Sequence, residues 1–415
     1  MMWFVLFFML HFVFSEVAMA SDDNESVVNE CLSCHIELDD ELAAPAELFS
    51  NDIHFQLGFT CADCHGGDPT TDDFDEAKDE ETGFIGVPGA VDIPGLCGEC
   101  HNDPTLMRRF NPNIPVDQET KYWTSQHGIS LKKGNTSVAT CSSCHGIHGI
   151  LPKSDARSKV YPKNVAATCN NCHGYKPLMD QFGLSDDNYE DYAESVHGIA
   201  VLKRGDFSAP TCNDCHGNHG AMPPDAVSIK MVCGNCHVNN FNLFRKSKMS
   251  RIFEMRGLHG CEVCHSNHRI LHPTDEKISV DEGGVCMKCH RTGDKGYTEA
   301  QSMYSTLIGL KKTISEARQS VSKAEIRGMD VGEALFDIQS ANDALIRSRT
   351  MIHTFDSKEV KQTAQPGREF ALKAKQKGEE ALLEYMTRRV WLGTSTFFIT
   401  FLVIVLFVYI KKIER

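Results

Sequence analysis

Cys141-Ser142-Ser143-Cys144-His145 is the stretch that decides how this chain folds, because its spacing recurs. The same C-x-x-C-H pattern stands at Cys31/Cys34/His35, Cys61/Cys64/His65, Cys97/Cys100/His101 and Cys169/Cys172/His173. It returns at Cys212/Cys215/His216, Cys233/Cys236/His237, Cys261/Cys264/His265 and Cys286/Cys289/His290. Nine motifs of two cysteines use all 18 cysteines of the chain. Two residues between the thiols span the two vinyl groups of a haem as thioethers, and the histidine that follows at once reaches the iron as its proximal ligand. One copy alone would also suit half a zinc site or a redox dithiol. Zinc sites need no histidine after each second cysteine, and disulfide frameworks impose no two-residue spacing. With the histidine in every copy and no cysteine left over, the expected cofactor is haem c, nine groups attached covalently.

The motifs sit in an internal repeat. His127-Gly-Ile-Ser-Leu-Lys-Lys-Gly parallels His197-Gly-Ile-Ala-Val-Leu-Lys-Arg-Gly, and each precedes a cysteine motif with a further histidine three residues past the proximal one, His148 and His219. A second cysteine motif follows, at Cys169 and at Cys233. A compressed copy has His259, Cys261, His268 and Cys286. A degenerate early copy has His54, Cys61 and Cys97, with Gly66-Gly67-Asp68 in place of the extra histidine, and the Cys31 motif stands alone before them. Of 19 histidines, nine are proximal and His11 falls in the leader. The nine that remain are His54, His127, His148, His197, His219, His259, His268, His272 and His353, one for each iron. The expectation is histidine on both faces of every haem. His148, His219 and His268 are too close to their own proximal histidine to wrap around that macrocycle, so each is assigned to a neighbouring haem. The glycine after His127, His197 and His259 is read as allowing close approach to a porphyrin. His272 is assigned the ligand missing from the first copy, and His353 lies outside the motif block.

Residues 1–20 form an apolar run ending Ala18-Met19-Ala20, the pattern of a secretory signal peptide, although no Lys or Arg precedes the run. Val390 to Ile410 is 21 residues without a charge, bracketed by Arg388-Arg389 and Lys411-Lys412. As a helix it would span about 31 Å, the thickness of a bilayer core. Haem attachment belongs outside the cytoplasm, so the expected topology is a single C-terminal anchor in the cytoplasmic (inner) membrane. The cytochrome domain then lies on the periplasmic or extracytoplasmic side and the tail 411–415 inside. A net charge of −14 argues against nucleic acid and suits basic soluble electron carriers. The acidic run Asp72 to Glu81 reads as a solvated loop, with a docking patch as the alternative.

From about Thr298 cysteine disappears. Met303, Leu307, Leu310, Ile314, Ala317, Val321 and Ala324 form one apolar stripe of a helix. Gly328-Met329-Asp330 breaks it, Val331, Leu335, Ile338, Leu345 and Ile352 mark a second helix, and a third runs from the Lys358 region, disturbed at Pro366-Gly367. The fold class expected is mainly α with extensive irregular loops: a haem-packed cytochrome domain over 21–296, a helical hairpin or bundle over 297–389 and a transmembrane helix over 390–410.

On the C-x-x-C-H-G-x-H motifs and the upstream His-Gly pairs, residues 31–290 resemble multihaem c-type cytochromes of the doubled-CxxCH kind. The resemblance implies paired haems with histidine distal ligands and an electron-transfer role. Quinol-oxidising membrane cytochromes are similar in role but carry an N-terminal anchor, so direct quinol oxidation does not follow. The function expected is a haem wire between a quinol-linked integral membrane subunit and exported redox proteins, not an enzyme by itself. The alternative is a multihaem reductase of nitrite, hydroxylamine or a sulfur oxyanion, which needs one open haem.

Overall fold

The computed structural model describes residues 29–38, 40–224 and 229–414. The expected signal peptide, residues 1–20, lies outside the described residues, as does Arg415 of the tail. Among the described residues all regular structure is helical and no strand forms. The chain divides into two compact units, residues 1–120 with 130–161, and residues 121–129 with 162–415.

Most cysteine motifs lie in short helices. They occupy Glu30–Ile36, Ala62–His65, Ile93–His101, Cys141–His145, Pro162–His173, Cys212–His216 and Glu262–His265. Cys233 sits in Ile229–Gly234, and Cys286 in the tighter turn Val285–Lys288. A helix places residues three apart on one face, so both thiols of a C-x-x-C point the same way. Local capping starts two of these turns. The Thr140 N–H donates to Ser143 Oγ at 3.1 Å, and the Thr211 N–H donates to Asp214 Oδ2 at 2.7 Å, the return half of a capping box.

The acidic run is a folded insert rather than a loop. It makes two helical turns, Phe74–Ala77 and Glu80–Thr82, and closes back on the Cys61 motif. The Ile85 N–H donates to the His65 carbonyl at 2.9 Å, and the Gly86 carbonyl lies 2.8 Å from His65 Nδ1. It is the turn after the run, at Gly86, that holds the His65 ring.

Three long helices follow the last motif, Lys295–Glu325, Gly332–Met351 and Ser357–Ile413. Asp294 and Asp356 cap the first and third, accepting from the Tyr297 and Lys358 N–H groups at 2.7 and 2.9 Å. All seven residues of the stripe from Met303 to Ala324 are buried. The second helix departs from the expected face. Leu335 is 44% exposed, and the buried line runs Ala334, Ile338, Ala341, Leu345, Ser348. The third helix explains the shift, because it packs an alanine-rich face (Ala364, Ala371, Ala374) against its neighbours, and small residues let backbones come close. A Cβ at Gly367 would stand 2.6 Å from the Ala344 Cβ.

Pro366 was expected to disturb the third helix, yet the helix runs through it. The carbonyl that loses its partner belongs to Gln362, an exposed residue, so water can satisfy it while Ala364 and Gly367 hold the packed side. The same helix continues without a break into an apolar end exposed all round, from Val390 to Ile410. Among the described residues it is the helix long and apolar enough to cross a membrane.

One motif-bearing loop is tied to these helices. The turn Asp275–Ile278 buries Asp275, whose carboxylate accepts from Arg349 Nε and Nη2 at 2.8 and 2.7 Å, with Lys311 Nζ at 3.6 Å. Ile278 joins the core formed by Met303, Leu307, Leu310 and Leu345.

Candidate haem-binding site

Three of the four upstream histidines, His54, His127 and His197, ride on a seat two residues before them. Ser125 is buried, its hydroxyl donating to the Tyr122 carbonyl at 2.6 Å and accepting from the Gly128 N–H at 2.9 Å. Ser195 repeats this with Tyr192 and Gly198 at the same two distances. In the first copy Asp52 takes the place of the serine. Asp52 Oδ1 accepts from the His54 N–H and lies 2.8 Å from His54 Nδ1, while Oδ2 accepts from the Ile150 N–H at 2.7 Å. Burial works against this carboxylate, but its three hydrogen bonds hold its pKa below the usual value. These seats were missed in the sequence. The available signal was Tyr-x-x-Ser-x-His-Gly, which occurs at Tyr122 and again at Tyr192.

In two of the His-Gly pairs the glycine also meets the chain's own backbone. A Cβ at Gly128 would lie 2.1 Å from the Tyr122 carbonyl oxygen, and at Gly198 1.9 Å from that of Tyr192. The close approach that forbids a side chain is to the chain's own backbone.

Successive copies interlock through one recurring hydrogen bond. The residue before each upstream histidine donates its N–H to the carbonyl two residues beyond the extra histidine of the next copy. The pairs are Ile53 to Ile150 at 2.8 Å, Gln126 to Ala221 at 2.9 Å and Val196 to Ile270 at 2.9 Å. These bonds hold the loops carrying His148, His219 and His268 beside the turns carrying His54, His127 and His197.

Six pairs of imidazoles face each other as a result. Ring centroids are 6.1 Å apart for His54–His101, His65–His148 and His127–His173. They are 6.2 Å apart for His197–His237 and His265–His353, and 5.8 Å for His216–His268. Every pair joins one motif histidine to one of the spare histidines. Aromatic contacts in general spread over about 4.5–7 Å, so this narrow cluster has a specific cause. A metal–imidazole bond is about 2 Å and the ring centroid lies roughly 1 Å behind the nitrogen, so two trans imidazoles on one iron stand about 6 Å apart. The spacing fits a haem iron between each pair. Among the described residues no group of three or more His, Cys, Asp or Glu is placed to enclose a bare metal ion, which leaves the zinc reading without a site.

The rings are prepared for ligation. Burial, reinforced by the facing ring, lowers the pKa of His127, His148, His197 and His268, and brings His265 down to about 4. Burial lowers His173 and His353 as well. A neutral imidazole keeps the lone pair a metal needs. Several rings also engage Nδ1, which leaves Nε2 for the metal: His353 with the Thr350 carbonyl at 2.9 Å and His65 with Gly86 at 2.8 Å.

No two of the 18 cysteines are joined as a disulfide. Within each unit, thiols of successive motifs are neighbours. Hydrogen bonds link Cys97 with Cys141, Cys169 with Cys212 and Cys233 with Cys261. In the last pair that bond pushes Cys261 up and Cys233 down to about 7. Charge interaction also couples Cys31 to Cys61, Cys64 to Cys97, Cys215 to Cys233 and Cys264 to Cys286.

The two thiols of a motif do not share one environment. The first cysteine of every motif is half-buried, whereas Cys34, Cys64, Cys172, Cys215, Cys236 and Cys289, each the second of its motif, are exposed. The cause is local. The hydrogen bonds that join motifs are made by first cysteines, which turns those thiols toward the neighbouring motif. The second cysteine comes one turn later, where the helix ends and less of the chain packs around it. Cys172 is the last residue but one of Pro162–His173, Cys236 lies just past Ile229–Gly234 and Cys289 directly follows Val285–Lys288. Protein atoms alone leave these thiols on the surface, where a vinyl group can reach them.

The remaining expected ligands divide. His145 ends the helix Cys141–His145, and His219 lies in the loop held by Gln126. His35, His259, His272 and His290 face no second histidine ring among the described residues. His35 Nδ1 lies 3.2 Å from the Leu42 carbonyl, His259 Nδ1 2.6 Å from Glu262 and His290 Nδ1 3.2 Å from Asp294.

No curated protein and no solved structure matches the chain. Residues 53–174, from the residue before His54 to the residue after His173, match the family described as Cytochrome c3. That segment contains four motifs and three of the six facing pairs, and its match supports a multihaem c-type cytochrome with covalently bound haem.

Proposed function

We propose that this chain is a membrane-anchored electron-transfer cytochrome that carries nine haems, one on each C-x-x-C-H motif, most of them held between two histidines. The observation that carries the reading is the set of six histidine pairs spaced for one iron, each with a motif histidine on one side. By the same register His259 serves the Cys286 haem. When bound, each bis-histidine haem supplies a one-electron couple of low potential.

The protein's part is to hold those groups close and in order. The thiols of consecutive motifs are neighbours within each unit, so the attached macrocycles fall in sequence order along the unit. Buried seats at Asp52, Ser125 and Ser195 fix the distal rings, and backbone acceptors fix others. The long apolar end of the third long helix anchors the chain in the cytoplasmic membrane, with the haem region on the extracytoplasmic side. A quinol-linked integral membrane subunit is the donor in this reading, and the −14 net charge suits basic exported acceptors.

Haem stoichiometry tests the reading. Intact mass and a pyridine haemochrome assay on the purified chain are expected to give nine haems per polypeptide. Any other ratio sinks the nonahaem assignment.

A further inference from the structure

The register that pairs the histidines runs backwards along the chain. The extra histidine of one copy serves the first motif of the copy before it: His148 faces His65, and His268 faces His216. The first motif of the last copy is met in the same sense by a later residue, since His353 faces His265. Carried back one step, the ligand for the Cys31 motif must come from the position three residues past His65. That position is Asp68.

The backbone there follows the other copies. The residue just past the proximal histidine has positive φ in all four extended motifs: Gly66 at 67°, Gly146 at 102°, Gly217 at 88° and Ser266, a residue with a side chain, at 66°. The segment also reaches the Cys31 motif. The Glu30 N–H, next to Cys31, donates to the Pro69 carbonyl at 2.9 Å, and Asn29 Nδ2 lies 4.0 Å from Cys61 Sγ. Asp68 and Lys78 both act electrostatically on Cys31, whose thiol burial raises.

The side chains at this place are poor iron ligands. The Asp68 carboxylate accepts from the Thr70 N–H at 2.9 Å and the Thr70 hydroxyl at 2.6 Å. Lys78 Nζ is held 4.5 Å above the Phe74 ring. The turn leaves no room for a substitute from its own glycines, because a Cβ at Gly66 would lie 2.0 Å from the Gly83 oxygen.

We propose that the haem on Cys31, Cys34 and His35 has an open distal face and is the small-ligand site of this protein, taking neutral π-acceptor ligands such as carbon monoxide or nitric oxide. The inference rests on the multihaem reading above and identifies which of the nine irons is the exception. Asp68 marks the open face because it stands where the other copies supply a ligand.

Electron paramagnetic resonance of the oxidised full-length protein and carbon monoxide titration of the reduced protein test it. The expected result is one high-spin haem per chain and carbon monoxide uptake by one iron in nine. Both signals are expected to vanish in a Cys31→Ala/Cys34→Ala variant that retains eight haems by mass. In Asp68→His the high-spin signal is expected to become low-spin, with carbon monoxide affinity at least tenfold weaker. An all-low-spin protein overturns the proposal, whether His272 or another side chain closes that face. So does carbon monoxide uptake that survives loss of the Cys31 haem, or that is unchanged in a normally loaded Asp68→His protein. A wild-type mass with no haem on Cys31 overturns the nonahaem reading instead, and this site with it.

Discussion

At the scale of single residues, Asp52 differs from its counterparts Ser125 and Ser195 in offering a charge to a histidine ring. A carboxylate on Nδ1 increases the electron donation of the imidazole to a metal and favours the oxidised iron. Asp52→Asn keeps the shape and removes the charge, so the haem paired by His54 and His101 is expected to be easier to reduce. A tenfold change in its redox equilibrium would appear as a rise of about 59 mV in one midpoint, read by spectropotentiometry. Unchanged midpoints would reduce Asp52 to a structural cap. Ser195→Ala leaves the buried Tyr192 carbonyl and Gly198 N–H without their shared partner. A loss of about 1–3 kcal/mol is expected in thermal or denaturant unfolding. Candidate partners for the motif histidines could be picked out in the sequence, because the copies could be laid on one another. Their seats were not, since a serine two residues before a histidine looks like any turn serine until its hydroxyl is seen to join Tyr192 to Gly198. The backbone reason for Gly128 was not legible: a side chain there would meet the Tyr122 carbonyl, a contact that the spacing of the motif does not reveal. The outward setting of Cys172, Cys236 and Cys289 was hidden too, because spacing gives the reach of a thiol and not its surroundings.

Among the elements, the stripe from Met303 to Ala324 was readable because bulky side chains at helical spacing leave one interpretation. The second long helix was harder. Its buried face is mainly Ala and Ser, so hydrophobicity pointed to Leu335, while the close packing of Gly367 and the alanines of the third helix selected Ala334. His353 could not be placed from sequence at all, because its distance from the motifs along the chain hides its approach to His265. Replacing it tests the assignment at this scale. His353→Ala is expected to turn one low-spin haem high-spin and open it to carbon monoxide, with helical content unchanged. A spectrum identical to wild type would remove His353 from the ligand set. The Asp275–Arg349 tie gives a pH prediction. Its hydrogen bond to Arg349 holds the Asp275 carboxyl below the usual range. Stability from a depressed carboxyl is fully present above its unfolded pKa, about 4, and is lost as pH falls through the folded value. Asp275→Asn is expected to cost about 1–2 kcal/mol at neutral pH, the exposed side of Arg349 being screened. Thermal melts of variant and wild type should converge below about pH 4.

For the whole molecule, the continuous helix Ser357–Ile413 makes the bundle and the membrane span one rigid rod. At about 1.5 Å per residue its 57 residues extend roughly 85 Å. Removing residues 390–415 is expected to move the cytochrome from the membrane to the aqueous fraction, with its haem spectrum intact. Retention in the membrane would point to a second attachment.

The backward register also bears on how such a protein is made. A polypeptide emerges from its N-terminus, yet in the proposed reading the irons at His65, His216 and His265 would each be sealed by a histidine translated later. The crevice at His265 would close only when His353, almost at the start of the third long helix, has been made. Maturation is thus a zipper that trails synthesis, and a chain cut short at any copy would expose a reactive iron at its last complete motif. That exposed iron would be a chemical mark by which unfinished molecules differ from finished ones.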